Sequence, residues 1–323
     1  MTNLVKLSVT LSLIFSINNV YADREAFEST YVPLAPEKIV IQNASIYDGD
    51  GGEFFETDVL VEDGKIIAIG KDLPFSNEFR VIDATGKWVT PGIIDIHSHM
   101  GVYPAPGVRT SSDGNEATSP VTADVWAEHS IWVQDPQYAL ALTGGVTAFH
   151  ILPGSANLIG GRGVTVKNLQ RVTINSMKFP DAPHSLKMAC GENPKRVYGN
   201  RGQAPSTRMG NAAGYRKSWI QAEGYLRRLN EYEEKSDEAK ELEYAPTRDL
   251  EMETLAGVLK GEILVHNHCY RADEMATMID IAKEFNYKIT AFHHGVEAYK
   301  IADLLADNGI CGALWADWWG FKH

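Results

Sequence analysis

Cysteine is scarce in this chain, which contains only Cys190, Cys269 and Cys311. An odd and sparse set argues against a framework of disulfides. Each of the three lies in or beside an apolar run, where a thiol packs as a small hydrophobic group. We therefore expect three buried free thiols.

An excess of positive charge is also absent, because the formal net charge is −12 at pH 7. Bulk electrostatics then disfavours the binding of nucleic acid and of anionic membranes. Hydrophobic residues make up 44% and charged residues 22% of the 323 positions, as in ordinary globular domains. Nucleic acid and anionic membranes are therefore not expected partners, and homo-oligomerisation stays open.

Long apolar runs are absent except near the amino terminus. Lys6 precedes a short apolar stretch from Leu7 to Ile17, and residues 20–22 (Val-Tyr-Ala) fit a signal-peptidase site. The stretch is shorter than the roughly 20 residues that a membrane-spanning helix needs. We therefore expect residues 1–22 to be a signal peptide that is cleaved before Asp23. The mature protein would be exported, most simply to the periplasm, and would keep no membrane contact.

Residues 23–88 carry short strand patterns separated by turn signals. Asp63-Gly64 stands between two β-branched runs and is a strong hairpin signal. This part of the chain is predicted to form a small, antiparallel β-sandwich module.

Seven apolar runs of four to seven residues follow within residues 89–323. Strands that are buried on both faces and alternate with helices are typical of a parallel α/β sheet. A closed (β/α)8 barrel needs eight strands, so a TIM-type barrel is predicted whose eighth strand would lie beyond the chain. A charged segment at about residues 200–258 is expected to be a solvated helical insertion. The seven runs begin at Gly92, Val146, Gly163, Ser185, Glu262, Lys288 and Gly309.

Six of the ten histidines lie at the C-terminal ends of three of these predicted strands. His97 and His99 end the first run, and the alternation of side chains along a strand points them the same way, about 6 to 7 Å apart. Barrel enzymes carry their catalytic groups at this end of the strands, and neutral imidazole is a good zinc ligand. The pattern therefore predicts a metal site. The other four histidines are His266, His268, His293 and His294.

Lys187 stands inside a predicted buried strand, where an unpaired charged amine is costly. One interpretation is a partner carboxylate elsewhere in the fold. Another is carboxylation of the amine by CO2, which would give an anion able to bridge two metal ions. Glu192, at the end of the same strand, is the alternative bridging carboxylate.

The glycine-rich segment from Gly154 to Gly163 lacks the Gly-Lys-Ser/Thr ending of a phosphate-binding P-loop. It is more typical of a tight loop beside an active site. Arg162 in this segment and Arg201 further on are candidate anchors for a substrate carboxylate. A tryptophan cluster from Trp315 to Trp319 is a candidate pocket wall or part of the core.

The stretch from Asp83 to His99 (DATGKWVTPGIIDIHSH) resembles the amidohydrolase superfamily, in its imidazolonepropionase-like and dipeptidase-like branch. The order of histidine pair, strand-four lysine and later histidines agrees with it, from about residue 38 to residue 323. The segment around Lys187 is similar to that around the carboxylated lysine of hydantoinase-like members and ureases. The resemblance implies a barrel that holds one or two divalent ions, with zinc the expected metal. It assigns metal ligation to His97, His99, Lys187, His266 and His294, with His293, His268 and Glu192 as alternatives.

The resemblance also implies hydrolysis of a carbon–nitrogen bond by metal-activated water, in an amide, a cyclic amide or a dipeptide. The aspartate that acts as base in the family ends the eighth strand. That position would lie beyond residue 323, as would the strands that complete the β module. Asp317 follows the seventh run and is in the wrong place to substitute. The chain is therefore expected to be a fragment. The alternative is a non-catalytic periplasmic binding protein built on a degenerate barrel.

Overall fold

The computed structural model describes residues 27–315 together with Trp318 and Lys322. The expected signal peptide, Asp317 and Trp319 lie outside the described residues. Within the described ranges, no helix has both the length and the apolar character that crossing a membrane requires.

A five-stranded sheet forms the amino-terminal module. Asp63 and Gly64 join β2 to β3 with φ values of 52° and 72°, which a two-residue hairpin turn requires, so the predicted hairpin is confirmed. β4 and β5 pair with β1 in parallel, and the expectation of a wholly antiparallel module was wrong. Residues 71–79 form a connection that lets the chain return to the start of β1, so that β4 can pair with β1 in parallel. The strands are β1 (Ile39–Tyr47), β2 (Glu53–Glu62), β3 (Lys65–Gly70), β4 (Arg80–Asp83) and β5 (Trp88–Val89).

All seven predicted runs are strands of a second, nearly closed barrel-type sheet, which confirms the barrel prediction. Their order in the sheet follows the chain from β12 back to β6. They are β6 (Ile93–Ser98), β7 (Val146–Ile151), β8 (Ile159–Lys167), β9 (Ser185–Ala189), β10 (Leu264–Cys269), β11 (Ile289–His294) and β12 (Cys311–Leu314).

One strand runs against the others. β8 is antiparallel to both β7 and β9, whereas the sequence pattern predicted a wholly parallel sheet. Only residues 152–158 join β7 to β8, and a parallel crossover needs a dozen or more residues. The chain therefore turns straight back, and β7, β8 and β9 form an antiparallel meander within an otherwise parallel sheet.

The predicted helical insertion is present, but it is not a solvated excursion. The long helix α3 buries Tyr215, Trp219 and Tyr225 in the main hydrophobic core and packs against α5. These apolar positions recur with helical spacing and make one face of α3 part of the core. The helices are α1 (Gln137–Thr143), α2 (Glu192–Gly199), α3 (Arg208–Glu233), α4 (Asp237–Leu242), α5 (Leu250–Leu259), α6 (Ala272–Glu284) and α7 (Ala302–Asp307).

Cys190 and Cys269 form a disulfide, which corrects the expectation of buried free thiols. Cys190 follows β9 and Cys269 ends the neighbouring β10, so their Cα atoms lie 5.2 Å apart, within disulfide range. The sequence separation is 79, and closing a loop of that length contributes about 4 kcal/mol to stability in the chain-entropy model. Cys311 is free, as expected, but exposed.

Candidate metal centre

Seven histidines and Lys187 converge where β6, β7, β9, β10 and β11 end. Successive imidazole rings are in contact, with centroids 4.4 to 5.0 Å apart. The parallel register brings these side chains together, because His266 is paired with Lys187 on one side and His268 with His293 on the other. The histidines are His97, His99, His150, His266, His268, His293 and His294.

His97 and His99 have the spacing of two ligands on one ion. Their Nε2 atoms lie 3.3 Å apart, and two nitrogens at zinc-binding distance on a tetrahedral ion are separated by about 3.3 Å. Nδ1 of His99 lies 2.7 Å from the carbonyl oxygen of Leu152, so Nδ1 donates and Nε2 keeps its lone pair. The Nε2 atoms of the sequence-predicted pair thus lie close together.

His293 links the two halves of the cluster through both ring nitrogens. Its Nδ1 lies 2.7 Å from Nδ1 of His97, and its Nε2 lies 2.8 Å from Nδ1 of His266. These separations are those of direct hydrogen bonds between rings. In the part of the chain that is described, no three His, Cys, Asp or Glu side chains already surround a common point as metal ligands.

His294 reaches the cluster by an unusual backbone conformation. Strand alternation alone would point it away from the side that His293 occupies, but its φ is 70°. Its ring then lies 4.7 Å from that of His97 and 4.4 Å from that of His268. A non-glycine residue in this region costs on the order of 1 kcal/mol or more, and such strain clusters at functional sites. Both adjacent histidines therefore face the site.

Lys187 is completely buried, and its Nζ donates to the carbonyl oxygen of Pro153 over 3.1 Å. Burial lowers the pKa of its amine to about 7. Burial, followed by other effects that include the charge of Lys187, also lowers the pKa of every histidine in the cluster. The value falls to about 4 for His99 and His150 and to about 3 for His266.

This donor set fits a divalent metal ion. Neutral imidazoles offer unprotonated nitrogens, as zinc and similar ions require. Nδ1 of His268 and Nδ1 of His294 are buried and have no hydrogen-bond partner, and an unsatisfied buried polar atom is costly unless something else occupies it.

The structure does not bring the other candidate residues into this cluster. Arg162 lies between two glycines on β8, and its Nε donates over 2.8 Å to Oγ1 of Thr254 on α5. Its guanidinium also covers Trp126 at 4.2 Å. Arg201 donates to a backbone carbonyl instead, that of Ala117. Glu192 begins α2, where its charge acts on Tyr270.

Sequence reasoning missed His150, the seventh member of the cluster. His150 is next to last in β7, and a histidine at the C-terminal end of a predicted strand was the available signal. The sequence left open whether Trp315 lines a pocket or belongs to the core. Its ring centroid lies 5.1 Å from that of His97 and 3.7 Å from that of His294. Trp318 stacks on His294 at 5.0 Å. Trp315 and Trp318 therefore form part of the wall of the histidine site.

Comparison with known proteins defines the class of this protein. No protein-family model matches the chain. It is 39% identical to an amidohydrolase of known structure from Thermotoga maritima, with a TM-score of 0.79, over 86% of this chain and 70% of that one. The chain therefore belongs to the amidohydrolase superfamily, and the resemblance is confirmed.

Curated relatives extend the comparison. The chain is 36% identical to the amidohydrolase tasK of Hapsidospora irregularis over 275 residues. This match covers 80% of this chain and 28% of tasK. It is also 46% identical to a dihydroorotase of Lactobacillus helveticus over 74 residues. That match covers 23% of this chain and 16% of the dihydroorotase. The chain thus spans well under half the length of these curated relatives.

Proposed function

We propose that the protein is a metal-dependent hydrolase that cleaves carbon–nitrogen bonds in small amides. The observation that carries the proposal is the 3.3 Å separation of the His97 and His99 Nε2 atoms, which suits two ligands of one zinc ion. Membership of the amidohydrolase superfamily supports the reaction class.

A zinc ion held by these residues would lower the pKa of a bound water to near neutrality, and the ion would polarise the carbonyl group of the substrate. The protein contributes the ligands and their orientation. The carbonyl oxygen of Leu152 fixes the ring of His99, and buried surroundings keep the imidazoles unprotonated. Trp315 covers one side of the site.

Lys187 is the proposed bridging ligand. Its amine, with a pKa of about 7, is substantially unprotonated at neutral pH and can attack CO2. A nitrogen–carbon bond forms, one proton leaves to solvent, and a carbamate anion remains. The charge of Lys187 acts on all seven histidines, whereas Glu192 lies at the start of α2. This placement favours Lys187 over Glu192.

His266 and one histidine of β11 are the proposed ligands of a second ion. Both ring nitrogens of His293 contact other imidazoles, those of His97 and His266. His294 meets the cluster through ring contacts and keeps a buried Nδ1 without a partner, and a nitrogen that no protein group occupies favours His294. The two assignments predict different losses of metal when each histidine is replaced singly.

The names of the relatives support small amides as the substrate class, with cyclic amides and dipeptides as the members to examine first. One relative is a dihydroorotase and others are amidohydrolases. Fold and ligands alone do not choose among such substrates.

Zinc binding and hydrolysis should depend together on Lys187. Metal-free protein titrated with zinc is expected to regain hydrolysis of at least one member of a panel of dipeptides, N-acyl amino acids and cyclic amides. Lys187→Ala should bind one zinc equivalent fewer and lose at least about a hundredfold in rate, because an anionic ligand is gone. Metal analysis and initial rates measure both effects.

Lys217→Ala is the matched control, because Lys217 is exposed on α3, and it should behave as the unaltered protein does. Unchanged stoichiometry and rate in Lys187→Ala would pass the bridging role to Glu192 or to no residue. Zinc binding without hydrolysis of any panel member would favour a binding protein over an enzyme.

We further propose that the protein is exported after removal of residues 1–22. The Cys190–Cys269 disulfide supports this, because disulfides persist in oxidising compartments. Protein from the extracytoplasmic fraction should have an intact mass that lacks residues 1–22. Denatured without reductant it should take one maleimide, at Cys311, and after reduction three. An uncleaved cytoplasmic protein that takes three maleimides without reduction contradicts the proposal.

A further inference from the structure

His150 is buried inside the barrel, just below the proposed ligands. Phe149 and Ile151 on either side of it pack in the outer core, so strand alternation turns His150 toward the interior. The side chain is 9% exposed.

The imidazole of His150 contacts three different strands, and each carries a proposed ligand. The backbone of Ile96, the residue before His97 on β6, is near enough to raise the pKa of His150 as a hydrogen-bond acceptor does. Nε2 lies 2.7 Å from Oγ of Ser185 on β9, two residues before Lys187 and on the same face. The ring packs edge-on against His266 of β10, with centroids 4.4 Å apart.

The nitrogen contacts of His150 differ from those of the proposed ligand pair. Nε2 of His150 meets the hydroxyl group of Ser185 over 2.7 Å, whereas the Nε2 atoms of His97 and His99 lie 3.3 Å from each other. His150 therefore contacts groups beside the proposed ligands, although it belongs to the same cluster.

We propose that His150 is a positioning residue that holds β6, β9 and β10 at the spacing that the metal ligands require. The inference rests on the proposed metal centre. His150 acts on the ion through three neighbours: the Ile96 carbonyl fixes the backbone that carries His97, Ser185 fixes the strand of Lys187, and ring contact fixes His266. Removing groups that orient ligands in this way typically costs tenfold to a hundredfold in metal affinity.

The test is the zinc dissociation constant of purified, folded protein, measured by competition with a chromogenic chelator. His150→Leu keeps the bulk of the side chain and removes the ring nitrogens with their polar contacts, so zinc affinity should fall about tenfold to a hundredfold. Ser185→Ala removes one of the three contacts and should cost less, about threefold to tenfold. His129→Leu is the matched control. His129 stacks on Trp126 outside the histidine cluster, and its replacement should change zinc affinity less than twofold.

If the role of His150 is only structural, metal-free His150→Leu should melt at a lower temperature while its folded fraction binds zinc with normal affinity. That result would overturn the inference. If His150→Leu does not fold, Ser185→Ala and His150→Gln decide the question, and normal zinc affinity in both overturns it. Unaltered protein that binds no zinc would overturn the proposed metal centre itself and the positioning role with it. Zinc binding that is lost in proportion to the contacts removed supports both.

Discussion

Replacing His97 or His99 by alanine is expected to remove bound zinc and hydrolytic activity together. Structural zinc sites in peptides bind with about 10 to 16 kcal/mol, which is roughly 3 kcal/mol for each of four ligands. Loss of one ligand should therefore weaken binding on the order of a hundredfold or more. The Nε2 atoms of the two residues lie 3.3 Å apart, so both variants should show the same loss.

Metal analysis after dialysis against a weak chelator, together with rates at saturating zinc, measures this effect. His129→Ala is the control, because His129 is exposed and contacts Trp126 and Phe27 outside the cluster. Normal metal content in both His97→Ala and His99→Ala would contradict the assignment of the two residues as metal ligands. Loss in only one of the two would show that the other histidine is not a ligand.

Acid should destabilise the metal-free protein steeply between about pH 6.5 and pH 4. His99 and His150 have a pKa of about 4 in the folded protein, against an ordinary value of 6.5. In this interval the unfolded chain binds protons that the folded chain does not bind, so the free energy of unfolding falls as the pH falls. Each of the two histidines contributes a loss of about 3 kcal/mol across the interval.

The other histidines of the cluster shift in the same direction and add to the loss. Thermal melting in a chelator from pH 8 to pH 4 measures it. Zinc-saturated protein should keep its melting temperature to lower pH, because a ligand that binds only the folded state stabilises it. A metal-free melting temperature that is constant from pH 7 to pH 4.5 would contradict the burial of neutral imidazoles.

The sequence was most informative where the signal is local. His97 and His99 lie two residues apart on one strand, so their common direction follows from strand geometry. Lys187 stood out because a lysine inside an apolar run demands an explanation. The seven apolar runs located the strands of the barrel for the same reason, since each run is a short continuous pattern.

Features that depend on contacts between distant segments were not predictable. The disulfide joins Cys190 and Cys269 across 79 positions, and it exists only because β9 and β10 are neighbours. Arg162 sits in a loop-like sequence, but β8 runs antiparallel and turns its side chain toward Thr254. The partners of His150 become visible only when three strands are placed side by side.

The antiparallel β8 also has a consequence for the order in which the chain folds. The connections within the meander run through residues 152–158 and 168–184, so their closure loses comparatively little chain entropy. Docking β10 against β9 closes the longer connection through residues 190–263, which costs about 1 to 2 kcal/mol more than either in loop-closure entropy. We therefore expect the meander to bring His150 and Lys187 together before His266 joins them. The Cys190–Cys269 disulfide spans this same connection. Once oxidised, it is expected to keep the ends of β9 and β10 close even in the unfolded chain, which lowers the entropy that is lost when His266 returns to the metal centre.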